Sequence, residues 1–182
     1  DETGEVVTSR IDPVTGGIAS FNGVVFSCGS VAVSPSGDTS GVTDTAAIRS
    51  AISTAVASVK AKSGSILNVA LNAGIYYIND TISINDGIVE DYPTPSTATM
   101  TIPPSFYGAG KGKTYVNMVT AAKPAFLINC KTASTHLSNW KFSDLSLIGP
   151  GGSDAETVGL QVGGVNASAT EDFQIVDIEF KS

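Results

Sequence analysis

The feature that most constrains the fold is a repeat in the last third of the sequence. Residues 140–147 (WKFSDLSL) align with residues 173–180 (FQIVDIEF) at an offset of 33 residues, and each apolar residue of the first segment meets an apolar residue of the second. Residues 125–128 (AFLI) align with residues 159–162 (GLQV) at an offset of 34 residues. Two separate segments that repeat at nearly one period indicate the successive coils of a solenoid.

The stretches between the repeated segments carry no helical pattern, which disfavours the leucine-rich and ankyrin classes of solenoid. Short apolar and β-branched runs between turn residues predict strands instead. The fold class that follows is mainly β, a parallel β-helix whose coils are enlarged by long turns, with chance similarity among short strands as the alternative. The predicted strands are residues 66–71, 75–78, 81–84, 115–119, 125–129, 140–148, 159–162 and 173–180, and residues 85–97 are predicted to form a surface loop.

One amphipathic helix is predicted before these strands, at residues 43–62. Its apolar stripe consists of residues spaced four, four and three positions apart, namely Ile48, Ile52, Val56 and Val59. Thr43 or Asp44 is the predicted N-cap, and Gly64 ends the helix. A single short helix is expected to cover an apolar surface. The residues expected to be buried are Ile48, Ile52, Val56, Leu145, Leu147, Ile178 and Phe180.

Residues 1–40 are predicted to form an extended linker segment, which leads into a second unit at residues 41–182 that holds the helix and the first coils. Within the linker, Asn22 and Gly23 stand between apolar residues. Both residue types accept the positive φ angles of a tight turn. The pattern therefore predicts a β-hairpin at residues 21–26.

Composition and charge exclude several function classes. The 182 residues carry a formal net charge of −7, and an acidic surface repels phosphate backbones and anionic lipids. No apolar run reaches the ~20 residues that a membrane-spanning helix needs. We therefore expect no nucleic-acid partner and no membrane insertion. Cys28 and Cys130 are interpreted as buried thiols, with one disulfide between them as the alternative.

Three motifs resemble one protein family. Residues 41–52 (GVTDTAAIRSAI) resemble the opening of the pectate-lyase-like superfamily, which includes phage tailspikes and secreted β-helical glycanases. Residues 72–78 (NAGIYYI) and 106–114 (FYGAGKGKT) resemble turns that follow in that family. The resemblance runs from near residue 37 to the end. It implies a right-handed parallel β-helix (a solenoid) opened by one amphipathic capping α-helix.

The resemblance also implies a function. The chain would be a portion of a bacteriophage tailspike or receptor-binding protein in the virion tail, which binds a bacterial surface polysaccharide and degrades it as a glycosidase or lyase. Such proteins are typically homotrimers, and residues 1–40 would face other virion tail proteins. Two alternatives stay open: a non-enzymatic structural or adhesion module of the virion, and a secreted microbial polysaccharide lyase or glycosidase. None of the resembling motifs is a catalytic signature.

Three carboxylates are the candidate catalytic residues. Asp177 and Glu179 are two residues apart on one predicted strand, so they share an outward face. The residues that alternate with them would fill the core, namely Val176, Ile178 and Phe180. Asp144 would lie one coil below Asp177. Stacked carboxylates can serve as acid and base on a sugar chain, because glycoside hydrolysis uses two carboxyl groups ~5–9.5 Å apart. The alternative is a solvated outer face, and the chain by itself is expected to be inactive.

The remaining residues of interest are expected to have structural rather than catalytic or ligand-binding roles. His136 is expected in a polar loop at residues 131–139, and Trp140 is expected in the core, with catalysis and sugar stacking as their alternatives. Residues 108–114 have the wrong spacing for a phosphate-binding loop and precede a predicted strand rather than a helix. Two cysteines and one histidine cannot by themselves assemble a zinc cluster. No cofactor and no metal are therefore expected.

The repeat also predicts that the chain is incomplete. Its second coil stops at Ser182 just after the strand, so the upper edge would present unpaired backbone groups. Solenoids need about three repeats for stability. We therefore expect the natural polypeptide to continue past Ser182 by several hundred residues, as in typical tailspikes, and mass spectrometry of the source protein would test this.

Overall fold

The computed structural model describes residues 18–21, 24–60, 65–84, 99–101, 104–121, 123–128, 135–137, 140–150, 159–162 and 173–181. This part of the chain contains thirteen strands and one helix. The predicted mainly-β class with a single helix is therefore confirmed. The predicted loop at residues 85–97 and Cys130 lie outside the described residues.

The helix follows two N-terminal strands. These are β1 (Ile18–Phe21), β2 (Val24–Val33) and α1 (Val42–Lys60). The later strands are β3 (Ser65–Leu71), β4 (Gly74–Ile78), β5 (Ile82–Ser83), β6 (Thr99–Thr101), β7 (Phe106–Gly108), β8 (Thr114–Met118), β9 (Phe126–Ile128), β10 (Thr135–Leu137), β11 (Trp140–Ile148), β12 (Leu160–Val162) and β13 (Phe173–Lys181).

The strands after the helix pair only in parallel within the described residues. The largest sheet has the order β1-β2-β3-β7-β11-β8-β4, and β13 also pairs with β11. A second sheet has the order β12-β9-β5, and a third consists of β10 and β6. The long strand β11 pairs with β7 through its first half and with β8 through its second half. Apart from the edge strand β1, the sheets are thus parallel, and none of them closes on itself within the described residues.

The repeat found in the sequence matches the register in which the strands of these sheets pair. Trp140 pairs with Phe173 and Leu147 pairs with Phe180, as the first alignment predicts. Phe126 pairs with Leu160, as the second alignment predicts. Residues that repeat in the sequence are therefore neighbours in the hydrogen-bonding direction, about 4.8 Å apart.

The N-terminal strands include the predicted hairpin. β1 and β2 are antiparallel, and Phe21 pairs with Val24, while Asn22 and Gly23 lie outside the described residues. β2 then pairs in parallel with β3, from Ser27 opposite Ser65 to Val33 opposite Leu71. Residues 24–33 of the predicted linker therefore extend the main sheet. The division of the chain at residue 40 stays a prediction.

Helix α1 is capped by a residue that the sequence analysis did not consider. Asp38 Oδ2 accepts hydrogen bonds from the backbone N of Thr43 at 3.0 Å and from Thr43 Oγ1 at 2.7 Å, and Asp38 Oδ1 accepts one from the backbone N of Ser40 at 2.9 Å. The hydrogen bonds from Ser40 and Thr43 hold the pKa of the Asp38 carboxyl well below its usual range. The predicted caps, Thr43 and Asp44, are wrong, because Thr43 donates to Asp38 and Asp44 binds outside the helix.

Two buried polar residues fasten the start of the helix to β4 and to the turn after it. Asp44 Oδ1 accepts a hydrogen bond from the backbone N of Ser36 at 2.8 Å, and Oδ2 accepts one from the backbone N of Tyr77 at 2.9 Å. Thr45 Oγ1 donates to Asn79 Oδ1 at 3.0 Å and accepts from the Asn79 backbone N at 3.1 Å. Asp44 is fully buried. The motif at residues 41–52 therefore binds the helix to the sheet.

The core lies between the sheets and beneath the helix. Its centre is a group of three fully buried phenylalanines, Phe106, Phe126 and Phe142, with ring centroids 5.0–5.4 Å apart. Five predicted core residues are buried and confirm the prediction, namely Ile48, Ile52, Val56, Leu145 and Leu147. Ile178 is half-buried against this core.

The prediction that Phe180 is buried is wrong for the described structure, because 61% of its surface is exposed. Phe180 lies in β13, which pairs with β11 on one edge only within the described residues. One side of its ring lies against Gly159, where an added Cβ atom would come within 2.7 Å of the ring.

Stability at alkaline pH is expected to depend on Tyr76. This residue is fully buried, and its hydroxyl lies 2.5 Å from the carbonyl oxygen of Val33. Burial, with the nearby charge of Asp44, raises the pKa of Tyr76 from 10.0 to about 12. The unfolded chain therefore loses this proton before the folded chain does, so stability is intact below pH 10 and falls as the pH rises towards 12.

We expect Tyr76 to account for a loss of about 1.4 kcal/mol in the free energy of unfolding between pH 8 and pH 11. Urea unfolding at both pH values would measure this loss. Tyr76→Phe cannot ionise and should show a correspondingly smaller loss, whereas Tyr77→Phe should behave like the parent. Equal losses in Tyr76→Phe and the parent would contradict the assignment.

Candidate functional site

Asp144 and Asp177 occupy matching positions in the repeated strands β11 and β13. The residues after them, Leu145 and Ile178, pair with each other, and the residues before them pair as well. Both aspartates have a positive φ, 64° for Asp144 and 51° for Asp177. Few non-glycine residues adopt this left-handed conformation, and Asp is enriched among those that do. The backbone therefore turns at the same place in two neighbouring strands.

This turn interrupts the regular alternation that the sequence analysis assumed for residues 176–180. The core residues on either side of the turn in β11, Phe142 and Leu145, are three positions apart instead of two. Their partners in β13 are Ile175 and Ile178. Val176 therefore does not occupy a core-facing position, and its predicted place in the core is wrong.

Glu179 is held by Ser146 of β11 and by Lys181 of its own strand. Its Oε2 atom accepts a hydrogen bond from Ser146 Oγ at 2.8 Å and lies 3.1 Å from Lys181 Nζ. The hydrogen bonds from Ser146 and Lys181, together with the charge of Lys111, lower the pKa of Glu179. The carboxylate therefore stays ionised at neutral pH and is a weak base.

The turn at residues 109–113 covers this part of β11. The backbone N of Gly110 donates to the Asp144 carbonyl oxygen at 2.9 Å, and the backbone N of Gly112 donates to Ser146 Oγ at 3.1 Å. Gly108 contacts the Asp144 carbonyl so closely that a Cβ atom would overlap it. Lys181 Nζ lies 5.2 Å from the centre of the Tyr115 ring. The hydrogen bonds form one row, which runs from the turn at residues 109–113 through Ser146 to Glu179.

The geometry limits what the three candidate carboxylates can do. A general acid or base that works near pH 7 needs a pKa near that value, and the lowered pKa of Glu179 moves away from it. Asp144 Oδ2 already accepts the Ser143 hydroxyl at 2.5 Å, and Asp177 is exposed at the turn of β13. This row therefore suits hydrogen bonding to hydroxyl groups better than proton transfer. Its catalytic role stays a prediction.

The other residues discussed in the sequence analysis lie in the core, in a strand or in a turn that contacts β11. Trp140 is buried, as predicted. His136 lies in the short strand β10 opposite Met100, so its predicted place in a loop is wrong. The segment after residue 113 is the strand β8, as predicted, and the amides of Gly110 and Gly112 bind atoms of β11.

Cys28 lies in β2, and its pairing with Cys130 stays open. Within the described ranges, no group of three or more His, Cys, Asp and Glu residues could hold a metal ion. The one helix in those ranges is neither long nor apolar enough to cross a membrane.

One charged cluster was missed by the sequence analysis. Asp80 Oδ2 accepts a hydrogen bond from Arg49 Nη2 at 2.9 Å, and Asp80 Oδ1 accepts one from Lys123 Nζ at 2.8 Å. The hydrogen bonds from Lys123 and Arg49 hold the pKa of Asp80 well below its usual range. The three residues come from α1, the turn before β5 and the segment before β9. No sequence motif indicates that they meet.

Comparisons with known proteins give no family assignment. No protein-family model, no curated protein and no solved structure matches the chain.

Proposed function

We propose that the chain is part of a right-handed parallel β-helix of the pectate-lyase-like type, from a tailspike-like receptor-binding protein that binds a bacterial surface polysaccharide. The observation that carries the proposal is the in-register parallel pairing of β11 with β13 at the repeat distance of the sequence. In a parallel β-helix, each coil places its strands beside those of the preceding coil. Pairing at one repeat is what that architecture requires.

Two further observations support the same architecture. Several successive segments each supply strands to more than one sheet, as β3, β4 and β5 do, and as β7, β8 and β9 do in the next segment. The turns at Asp144 and Asp177 also lie at matching positions. A solenoid coil changes direction at the same place in each repeat, so matching turns favour this fold. The helix α1, which contacts β2, β3 and β4, is then its cap.

The role proposed for this segment is binding and support. Its polar row runs from Tyr115 past the buried Ser146 to Glu179 and Lys181, so an aromatic ring, a carboxylate and an ammonium group are accessible on its outer side. Hydroxyl-rich sugars are recognised by such hydrogen-bonding groups beside aromatic rings. Degradation of the polysaccharide, a homotrimeric assembly and attachment to other virion tail proteins belong to the same proposal for the parent protein. Its location would be the virion tail.

A second candidate function is a non-enzymatic structural or adhesion module. It is favoured by the ionised, hydrogen-bonded state of Glu179, which leaves that residue unsuited to donate a proton at neutral pH. Both candidate functions require the same fold, but only the first includes degradation of the polysaccharide by the parent protein.

We expect the 182-residue chain to bind at least one polysaccharide in a panel of bacterial capsules and lipopolysaccharides, and to release no reducing ends or unsaturated products from it. Glu179→Gln should weaken binding about tenfold, because it removes the charged acceptor for a sugar hydroxyl. Thr39→Ala, on an exposed residue outside this row, is the control. Product release that Asp177→Asn or Glu179→Gln abolishes would place catalysis on the acidic residues. Absence of binding to every member of the panel would contradict the proposed function.

A further inference from the structure

A cavity of about 390 Å³ opens between the helix α1 and the strand β5, away from the row on β11 and β13. It is lined by Arg49, Ile52 and Ser53 from the helix and by Ser83 from the strand. The volume falls in the range of small-molecule sites. Ile52 is buried and gives the cavity an apolar floor, while two serine hydroxyls and a guanidinium group supply polar walls.

Arg49 is held in position at this cavity. Its Nη2 atom donates to Asp80 Oδ2 at 2.9 Å and to the carbonyl oxygen of Thr81 at 2.8 Å. These two bonds use both hydrogens of Nη2. A guanidinium group has five N–H hydrogens, and those on Nε and Nη1 make no hydrogen bond to the residues that the structure describes. These hydrogens lie on different edges of the planar group, so Nε and Nη1 can each donate a single charge-assisted hydrogen bond to an anion.

The local charge favours an anion. Arg49 and Lys123 share the single carboxylate of Asp80, so the three groups together carry one excess positive charge. Asp80 is kept ionised by both partners, so this surplus persists at neutral pH. The whole chain has a net charge of −7. An acidic ligand is therefore repelled by the chain as a whole and attracted at this cluster.

We propose that the cavity between α1 and β5 binds a carboxylate-bearing ligand of monosaccharide size, such as a sugar acid. The guanidinium of Arg49 takes the carboxylate, the hydroxyls of Ser53 and Ser83 take ring hydroxyls, and Ile52 contacts the carbon face of the ring. This site is separate from the row on β11 and β13. It stands whether or not the chain belongs to a tailspike.

The test is a titration of the full chain with glucuronate, followed by amide NMR shifts, with glucose and acetate as parallel probes. We expect glucuronate to bind at least about tenfold more tightly than either probe, because it alone offers both the carboxylate and the ring. Added salt should weaken glucuronate binding, since the cluster is half-exposed.

Variants decide whether the binding uses this cavity. Arg49→Gln and Ser53→Asp should each weaken glucuronate binding by about tenfold or more, the first by removing the charge and the second by repelling the carboxylate. Thr54→Asp adds the same charge on the same helix outside the cavity and should change binding less than about twofold. Amide spectra show whether each variant is folded. Equal binding of glucose and glucuronate, or binding that both Arg49→Gln and Ser53→Asp leave unchanged, would overturn the proposal.

Discussion

Replacing Phe126 by alanine is expected to lower the free energy of unfolding by about 3–5 kcal/mol. The Phe126 ring is fully buried and lies 5.1 Å from the Phe106 ring and 5.0 Å from the Phe142 ring, at steep angles to both. Its removal loses the burial of the ring and leaves a cavity between two sheets. The aromatic contacts, worth about 0.5–1.5 kcal/mol per pair beyond burial, are lost with it.

Chemical unfolding followed by circular dichroism would measure the effect. Phe126→Leu keeps much of the buried carbon and should lose less stability than Phe126→Ala. Ile75→Ala removes a branched side chain that is about half exposed and is the matched control, with an expected loss below about 1 kcal/mol. A loss for Phe126→Ala no larger than that for Ile75→Ala would show that the sheets do not pack around this ring.

Replacing Asp44 by alanine is expected to lower the free energy of unfolding by about 3–5 kcal/mol. The two carboxylate oxygens accept hydrogen bonds from the backbone N–H groups of Ser36 and Tyr77 at 2.8 Å and 2.9 Å, and the residue is fully buried. Alanine leaves both N–H groups without an acceptor. Both hydrogen bonds are partly buried, and a donor shielded from water that loses its partner costs about 1–3 kcal/mol. The negative charge near the start of the helix is also lost.

Asp44→Asn retains the size of the side chain and one acceptor oxygen, so it should be intermediate between the parent and Asp44→Ala. Thr39→Ala changes an exposed neighbour and should alter stability by less than about 0.5 kcal/mol. Hydrogen exchange adds a local measurement, since the amide of Tyr77 should lose protection in Asp44→Ala. Unchanged protection of that amide would show that Asp44 does not hold β4 to the helix.

The sequence was sufficient to predict the helix, most of the strands and the register of the repeated segments, but not the short strands β6, β7 and β10. Register follows from which apolar residues must meet, so the alignment of residues 140–147 with 173–180 identified the partners in β11 and β13. The helix followed from its spacing of apolar residues, and Ile48 and Ile52 are buried as expected.

The predictions failed where the backbone departs from regular geometry. The prediction requires core-facing and outward-facing residues to alternate strictly through Asp177. The positive φ of Asp177 breaks this alternation, so the residues before it face the opposite way from the prediction. The aspartates in both repeats were interpreted as possible acids, although Asp is also one of the few residue types that tolerate this conformation. The cap by Asp38 and the cluster around Asp80 were missed because both join segments that no periodic pattern relates.

The parallel register has a consequence for how quickly the chain folds. Phe142 must find Phe106 and Ile175, each more than thirty positions away in the sequence, whereas β1 and β2 form the one local hairpin of the described residues. Each such encounter closes a long loop, and its entropy cost comes before the contacts that compensate for it. Domains dominated by distant pairings fold in milliseconds to seconds rather than microseconds. During that interval unpaired strand edges are exposed to other molecules, so refolding yield should fall as protein concentration rises.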